Sequence, residues 1–296
     1  MGVALYLLLC VIWGSTWLVI KVGYGGLGPF NVAAVRFLIA GIMMGVMVPA
    51  VGARWPSGRT EWGLIAIVAL LMFAGDYGAI YWAEQYIDSG LTAILFATLP
   101  LITIAAAHVY LPGEPITPLK FAGTLLAFLG VAALFGDRAR LDVQQFWPMV
   151  AVIAGALLAA IASVATKKHG AALHPAALNA PSMLLGAVAL AAASYARGDG
   201  FALPPDGATW GAVLYLALVG TVLAFLVYFS MLKTWSVTSL SFISVFTPAI
   251  ALVLGFVFLG ERPTTWTLIG AVLIVVGVAL ALMPALRPRR ILQKAS

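Results

Sequence analysis

The sequence predicts an all-α integral membrane protein in which ten transmembrane helices form two inverted five-helix repeats. Three observations lead there. Of the 296 residues, 63% are hydrophobic and 9% charged, with a mean hydropathy of +1.08. A soluble domain carries about 25% charged residues, so lipid must be the solvent for most of this surface. Ten apolar stretches reach the ~20 residues that one crossing needs. The chain also repeats itself: Leu-Pro-Gly-Glu-Pro (111–115) ends one apolar stretch as Leu-Gly-Glu-Arg-Pro (259–263) ends another. Pro100 maps to Pro248 at an offset of 148, while Glu114 to Glu261, Gly123 to Gly270 and Gly130 to Gly277 all map at 147. A repeat of half the chain in an apolar sequence is the mark of a secondary transporter.

The first span, about 3–24, lacks the basic n-region of a signal peptide and is long enough to cross, so it is expected to be retained. Gly25-Gly26-Leu27-Gly28-Pro29 separates it from the second, 30–52, and Gly52-Ala53-Arg54-Trp55-Pro56-Ser57-Gly58 ends that one. Spans 62–84, 88–111 and 116–136 follow. The charged break Asp137-Arg138-Ala139-Arg140-Leu141-Asp142 is where the halves should join. Spans 145–166 and 174–196 precede Arg197-Gly198-Asp199-Gly200 and Pro204-Pro205, and 208–232, 236–259 and 264–284 complete the set. The expected organisation is a first repeat over 1–137, a second over 143–286 and a basic cytoplasmic tail over 287–296.

Five spans per half is an odd number, so the second half enters the membrane from the opposite side. With the N-terminus inside, the inner segments hold ten Lys and Arg (Arg54, Arg59, Lys120, Lys167, Lys168, Lys233, Arg287, Arg289, Arg290, Lys294) against four outside (Arg138, Arg140, Arg197, Arg262). That excess predicts both termini in the cytoplasm. In such a chain the net charge of +6 reports orientation and not nucleic-acid binding. Cys10, the only cysteine, forms no internal disulfide and no thiolate metal site.

Charge inside hydrocarbon costs a few kcal/mol unless paired or wetted. Lys21 lies ~5 Å from the outer end of its span, Arg36 ~9 Å and Asp76 ~11 Å, at a rise of about 1.5 Å per residue. The similar depths fit an outer-half cluster of one acid and two bases. It serves either as a gate or anchor for a carboxylate-bearing solute, or as a structural clasp between helices. Trp13, Trp17 and Lys21 are spaced i, i+4, i+8 with Thr16 alongside, and Tyr77, Tyr81 and Glu84 share a face at i, i+4, i+7. Tyr228 is the repeat partner of Tyr81. Rings with polar tips suit a cavity for an amphipathic solute, with an interfacial belt as the alternative for those near span ends; Trp82, Trp147, Trp210 and Trp266 lie near ends and are read as belt.

Pro100, Pro181 and Pro248 fall mid-span, where a proline frees the carbonyl four residues earlier, at Phe96, Ala177 and Ser244. Pro100 and Pro248 are expected as paired hinges facing each other near the midplane. Ser241, Ser244 and Pro248 give the ninth span a polar stripe. Gly41-Ile42-Met43-Met44-Gly45, and the glycines 123, 130, 270 and 277, allow close helix contact, within the chain or at a dimer face. There is no His-Glu-x-x-His, paired-aspartate or P-loop motif, so the sequence supports neither metal ligation nor ATP hydrolysis and implies no cofactor.

Trp13-Gly14-Ser15 with Lys21, Arg36-Phe37, and Leu-Pro-Gly-Glu (111–114) and Leu-Gly-Glu (259–261) after prolines resemble the drug/metabolite transporter superfamily, in its EamA-type branch. The resemblance covers the whole chain and implies two five-helix units, a bacterial inner membrane and export of amino acids, aromatic ones included, or related metabolites. The second half departs from the pattern: its first span lacks a Trp-Gly start, and Ser182 stands where Arg36 would map at an offset of 146. Trp13, Lys21 and Arg36 are thus expected to have no clear mates.

The expectation is a secondary transporter, a monomer or weak homodimer in lipid, exporting small metabolites by alternating access. Spans one, three, four, six, eight and nine would line a central cavity. Trp13, Trp17, Tyr77, Tyr81, Tyr228 and Ser244 would bind the solute, with Lys21, Arg36 and Asp76 gating. The alternatives are a carrier of cationic drugs or nucleotide-sugar-like solutes and, more remotely, an intramembrane enzyme acting on lipid.

Overall fold

In the computed structural model, residues 2–111, 118–138 and 143–282 are described. Glu114, Arg140, Asp142 and the basic tail of 287–296 lie outside them. Lipid offers the backbone no hydrogen bonds, so every crossing must satisfy its own amides, and the apolar stretches fold as helices. They are α1 (Gly2–Val22), α2 (Pro29–Ala50), α3 (Arg59–Ala83), α4 (Ser89–Tyr110), α5 (Pro118–Arg138), α6 (Val143–His169), α7 (Pro175–Ala196), α8 (Gly207–Thr234), α9 (Val237–Leu259) and α10 (Thr265–Leu282). Eight, α1–α4 and α6–α9, are long and apolar enough to span; α5 and α10 contain the shorter apolar segments Phe121–Gly130 and Thr265–Gly277. Ends follow local chemistry. Prolines 29, 118 and 175 open helices where a missing N–H goes unmissed. Asp206 caps α8 by accepting from the Thr209 amide at 2.9 Å, and Gly260, at φ 66°, closes α9 in a left-handed turn.

Short connections make successive helices antiparallel. The end carrying the α1–α2, α3–α4 and α9–α10 connections is called the upper end here. Packing joins the halves: α2 lies on α7, α5 on α10, α1 on α9 and, equivalently, α6 on α4. The glycines of α5 and α10 are used inside the chain. A Cβ on Gly130 would stand 2.8 Å from the Gly270 carbonyl oxygen, and one on Gly277 2.5 Å from that of Gly123.

The repeat is also written in the backbone. Within α3, Val68–Asp76 is π-helical, and within α8 so is Tyr215–Leu223. Both ends of the two stretches correspond at 147, the offset of the glutamates and glycines.

The proline hinges are not equivalent. α4 breaks into Ser89–Phe96 and Leu99–Tyr110, so Pro100 sits in the first turn of a new segment and not mid-helix. There its lost N–H costs little. Pro248 lies inside the segment Ile243–Leu259, beyond a break at Phe242. The carbonyl it frees, Ser244, accepts from Thr247 Oγ1 at 3.2 Å.

Candidate functional site

A cavity lies between α1, α3, α4, α6, α8 and α9, that is, between three pairs of repeat-equivalent helices. The i, i+4 spacing on α1 puts Trp13 and Trp17 on its wall, with Thr16. The π stretch of α3 turns Met72 and Asp76 inward, and Tyr77 follows them. From the other half come Phe225 and Tyr228 on α8, Ser163 on α6, and Ser241, Ser244 and Thr247 on α9.

The aromatic residues form one connected surface. The Trp13 ring packs 5.6 Å from Phe225 and 5.4 Å from Tyr228, and Trp17 lies 5.5 Å from Phe96. Tyr228 donates to Ser163 Oγ at 3.1 Å, joining α8 to α6. Hydroxyls descend α9 in a ladder: Ser241 donates to the Thr238 carbonyl and Ser244 to that of Ser241, each at 2.7 Å. With its proton committed, Ser244 offers the cavity acceptor lone pairs only.

Two buried groups on this wall have no hydrogen-bond partner among the described residues: the Trp17 Nε1 donor and the Asp76 Oδ1 acceptor. A buried polar atom without a partner costs on the order of 1–3 kcal/mol.

Lys21, Arg36 and Asp76 do not meet as the sequence predicts. Asp76 faces the cavity. Arg36, wholly buried, turns away behind the Tyr77 ring, its guanidinium carbon 4.8 Å from the ring centre. Its Nε donates to Thr221 Oγ1 at 2.8 Å, Nη1 to the Tyr81 hydroxyl at 3.2 Å and Nη2 to the Gly220 carbonyl at 3.3 Å. Lys21 reaches the upper end instead, 3.1 Å from Glu261 and 3.9 Å from Asp88. Equal depth along the membrane normal left the direction around each helix axis undetermined. Arg36 turns to the surplus carbonyls of the α8 π stretch, and the long Lys21 stem extends its ammonium toward the helix ends. Tyr81, also expected on the cavity wall, is buried behind it between Arg36 and Tyr24, whose hydroxyl donates to the Tyr81 carbonyl at 2.6 Å.

Glu261 does more than pair with Lys21. It accepts from the Ser89 amide at 3.0 Å and the Ser89 hydroxyl at 2.7 Å, and so binds the first turn of α4. Burial raises its carboxyl, but the Ser89 donors and the Lys21 ammonium outweigh that and hold it below the usual carboxylate range. The expectation that Lys21 has no mate needs correcting. Lys167, at an offset of 146, ends α6 as Lys21 ends α1 and donates to the carbonyls of Leu232 at 2.7 Å and Trp235 at 2.9 Å. Glu261 was visible in the sequence as a repeated glutamate, but nothing there assigned it to Lys21.

A model of the EamA-like transporter family matches residues 1–136 and again 146–283. The chain is 28% identical to "Uncharacterized transporter YoaV" of Bacillus subtilis over 90% of this chain and 92% of that one. It is 29% identical to "Probable terminal-alkyne amino-acid exporter" of Streptantibioticus cattleyicolor, over 95% and 93%. It is 28% identical to "Uncharacterized inner membrane transporter YedA" of Escherichia coli, over 90% and 87%. A solved crystal structure superposes with a TM-score of 0.70 at 23% identity, covering 97% of this chain and 98% of the other, which establishes a shared fold.

Proposed function

Since the chain belongs to the EamA-like transporter family, whose members are membrane transporters and not enzymes, we propose that it exports small amphoteric metabolites, amino acids foremost and aromatic ones included, by alternating access. The observation that supports this reading is that two residues lining one cavity each carry a buried polar atom without a hydrogen-bond partner among the described residues: Asp76, whose Oδ1 packs toward Gly155 of α6, and Trp17, through Nε1. An α-amino acid supplies the complement of both. Its ammonium meets Asp76 and the Ser244 lone pairs, its carboxylate meets the Trp17 indole, and its side chain lies against Trp13, Tyr77 and Tyr228. Tyr81 and Arg36 support the wall from behind, and Lys21 with Glu261 closes the upper end. A relative bearing the name of an amino-acid exporter agrees with this reading. The excess of basic residues on the inner segments, and a relative named an inner membrane transporter, favour a bacterial inner membrane with both termini cytoplasmic.

A second reading, cationic drugs, draws on Asp76 being the one charged side chain among the described lining residues. Competition separates the two. Radiolabelled phenylalanine is taken up into proteoliposomes against amino acids, against phenylalanine amide and against cationic drugs, with wild type, Trp17→Phe and Asp76→Asn. The amide, lacking the carboxylate, should compete about tenfold or more weakly, and Trp17→Phe should abolish that preference, as expected for a charge-assisted hydrogen bond of about 1.5–3 kcal/mol. Drugs that compete while amino acids are inert, with drug binding lost in Asp76→Asn, would replace this reading with the second.

A further inference from the structure

Glu84 stands just above the aromatic wall and has no part in the cavity. It caps the C-terminal end of α3, is 2% exposed, and neither carboxylate oxygen has a hydrogen-bond partner among the described residues. The charged and titratable groups around it are Lys21 from α1, Glu261 from the α9–α10 connection, Arg36 from α2, Tyr24 beyond α1 and Tyr81 one turn below.

Each nearby cation is committed elsewhere. Lys21 is held 3.1 Å from Glu261, and the Nε, Nη1 and Nη2 donors of Arg36 point at Thr221, Tyr81 and Gly220. Glu261 is a like charge, and the C-terminal end of a helix repels an anion. An ionised Glu84 here would be a buried charge without a donor, which costs several kcal/mol, and a bound proton removes that cost. Freeing Lys21 from Glu261 changes the balance. The freed ammonium becomes available to Glu84, and water entering from the upper end would solvate the carboxylate.

We propose that Glu84 is a proton-binding site that controls the upper lock: it carries a proton while Lys21 is paired with Glu261 and gives that proton to the upper solution when the pair opens. Proton binding and closure are then linked, each favouring the other. This rests on the reading of the protein as an alternating-access transporter, but it needs no knowledge of the substrate.

Two measurements on the full chain in lipid test it. The infrared carbonyl band of a protonated carboxylic acid should be present at neutral pH, persist in Asp76→Asn and be lost or reduced in Glu84→Gln. An unchanged band in Glu84→Gln overturns the proposal. In a Cys10→Ala background, Ile20→Cys on the cavity wall is then labelled from the upper side with an impermeant maleimide across a pH series. Rates are normalised to the same cysteine in Lys21→Met. Normalised labelling should rise with pH, by up to about tenfold for each unit of pKa separating the closed and open states. Glu84→Gln, fixed as if protonated, should give a flat and low profile, while Glu84→Asp should keep the rise. A wild-type profile as flat as that of Glu84→Gln overturns the proposal even if the infrared band is assigned to Glu84. Failure of the transport reading looks different: Ile20→Cys then stays unlabelled at every pH, in the Lys21→Met background too.

Discussion

The two π-helical stretches have the same backbone at equivalent places and serve different purposes. In α8, Tyr215–Leu223 leaves Gly220 with a carbonyl that accepts both Trp13 Nε1 and Arg36 Nη2, each at 3.3 Å. Thr221 Oγ1 donates back to Leu216 at 2.7 Å and accepts from Arg36 Nε. In α3, Val68–Asp76 ends on a carboxylate turned into the cavity. A π turn adds one residue and displaces the backbone hydrogen bonds by one step. One copy uses the displacement to anchor neighbouring helices and the other to present a solute contact. The scaffold is duplicated, and the chemistry on it is not.

The sharpest way to break this comparison is at the helix facing each stretch. Arg36 on α2 reaches the α8 stretch with two polar bonds, to Thr221 and Gly220, and Tyr81 on α3 with a third. Ser182 on α7, its counterpart at an offset of 146, donates to Leu178 at 2.8 Å and reaches Ile65, just before the α3 stretch, at 3.3 Å. Arg36→Leu strands buried partners at Thr221 and Tyr81 and should cost about 3 kcal/mol or more. Ser182→Ala should cost about 1 kcal/mol or less. Thermal unfolding in a fixed detergent reads both. Equal losses would mean that the two stretches are anchored alike and that the asymmetry is superficial.

How much of this was legible follows from what each signal encodes. The spans and their breaks were readable because bilayer thickness sets a length and Gly and Pro mark the ends. Trp13 and Trp17 were readable as a surface because the i, i+4 spacing fixes a face, and Tyr228 through the repeat; the same spacing put Tyr81 beside Tyr77, yet only Tyr77 lines the cavity. The π stretches were not, since Val68–Asp76 has the composition of any apolar helix and one extra residue per turn leaves no mark. The Lys21–Glu261 pair was hidden because depth was countable and azimuth was not, and the same gap produced the expectation of a Lys21–Arg36–Asp76 cluster. Glu84 was visible on the Tyr77–Tyr81 face, but its burial depends on helices that the sequence does not place.

Lys21 and Lys167 give a second, smaller contrast. The described partners of Lys167 are carbonyls, and those of Lys21 are carboxylates. Lys21→Met should leave Glu261 uncompensated and shift the upper end toward open by about tenfold, equivalent to about 1.4 kcal/mol. Lys167→Met should move the lower end by less, because water can satisfy carbonyls near a helix end. Labelling of single cysteines at the two ends measures both. The pH dependence has a definite sign. Since Glu261 titrates below its ordinary value in the closed state, its contribution is complete above the usual carboxylate range and is lost as pH falls through the lowered value. Strong acid should therefore loosen the upper end, and a Glu261→Gln variant should be insensitive to that treatment.

The smallest expected effects belong to the prolines, and they separate position from residue type. Pro100 occupies the first turn of a segment, where its N–H would go unused, so Pro100→Ala should lose only the unfolded-state restriction, about 0.4–1 kcal/mol. Pro248 is interior. An alanine there restores an amide that competes with Thr247 Oγ1 for the Ser244 carbonyl and straightens the segment bearing Ser241, Ser244 and Thr247. Pro248→Ala should thus hold or raise the unfolding temperature while slowing phenylalanine uptake, because the wall it straightens lines the cavity. Pro100→Ala should lower the temperature slightly and leave uptake nearly unchanged. If both variants slowed uptake equally, the prolines would be paired hinges after all, as their spacing in the sequence predicts. If only Pro248→Ala does so, movement is concentrated in α9, where the proline lies inside the segment beyond the break, whereas in α4 it lies in the first turn after it.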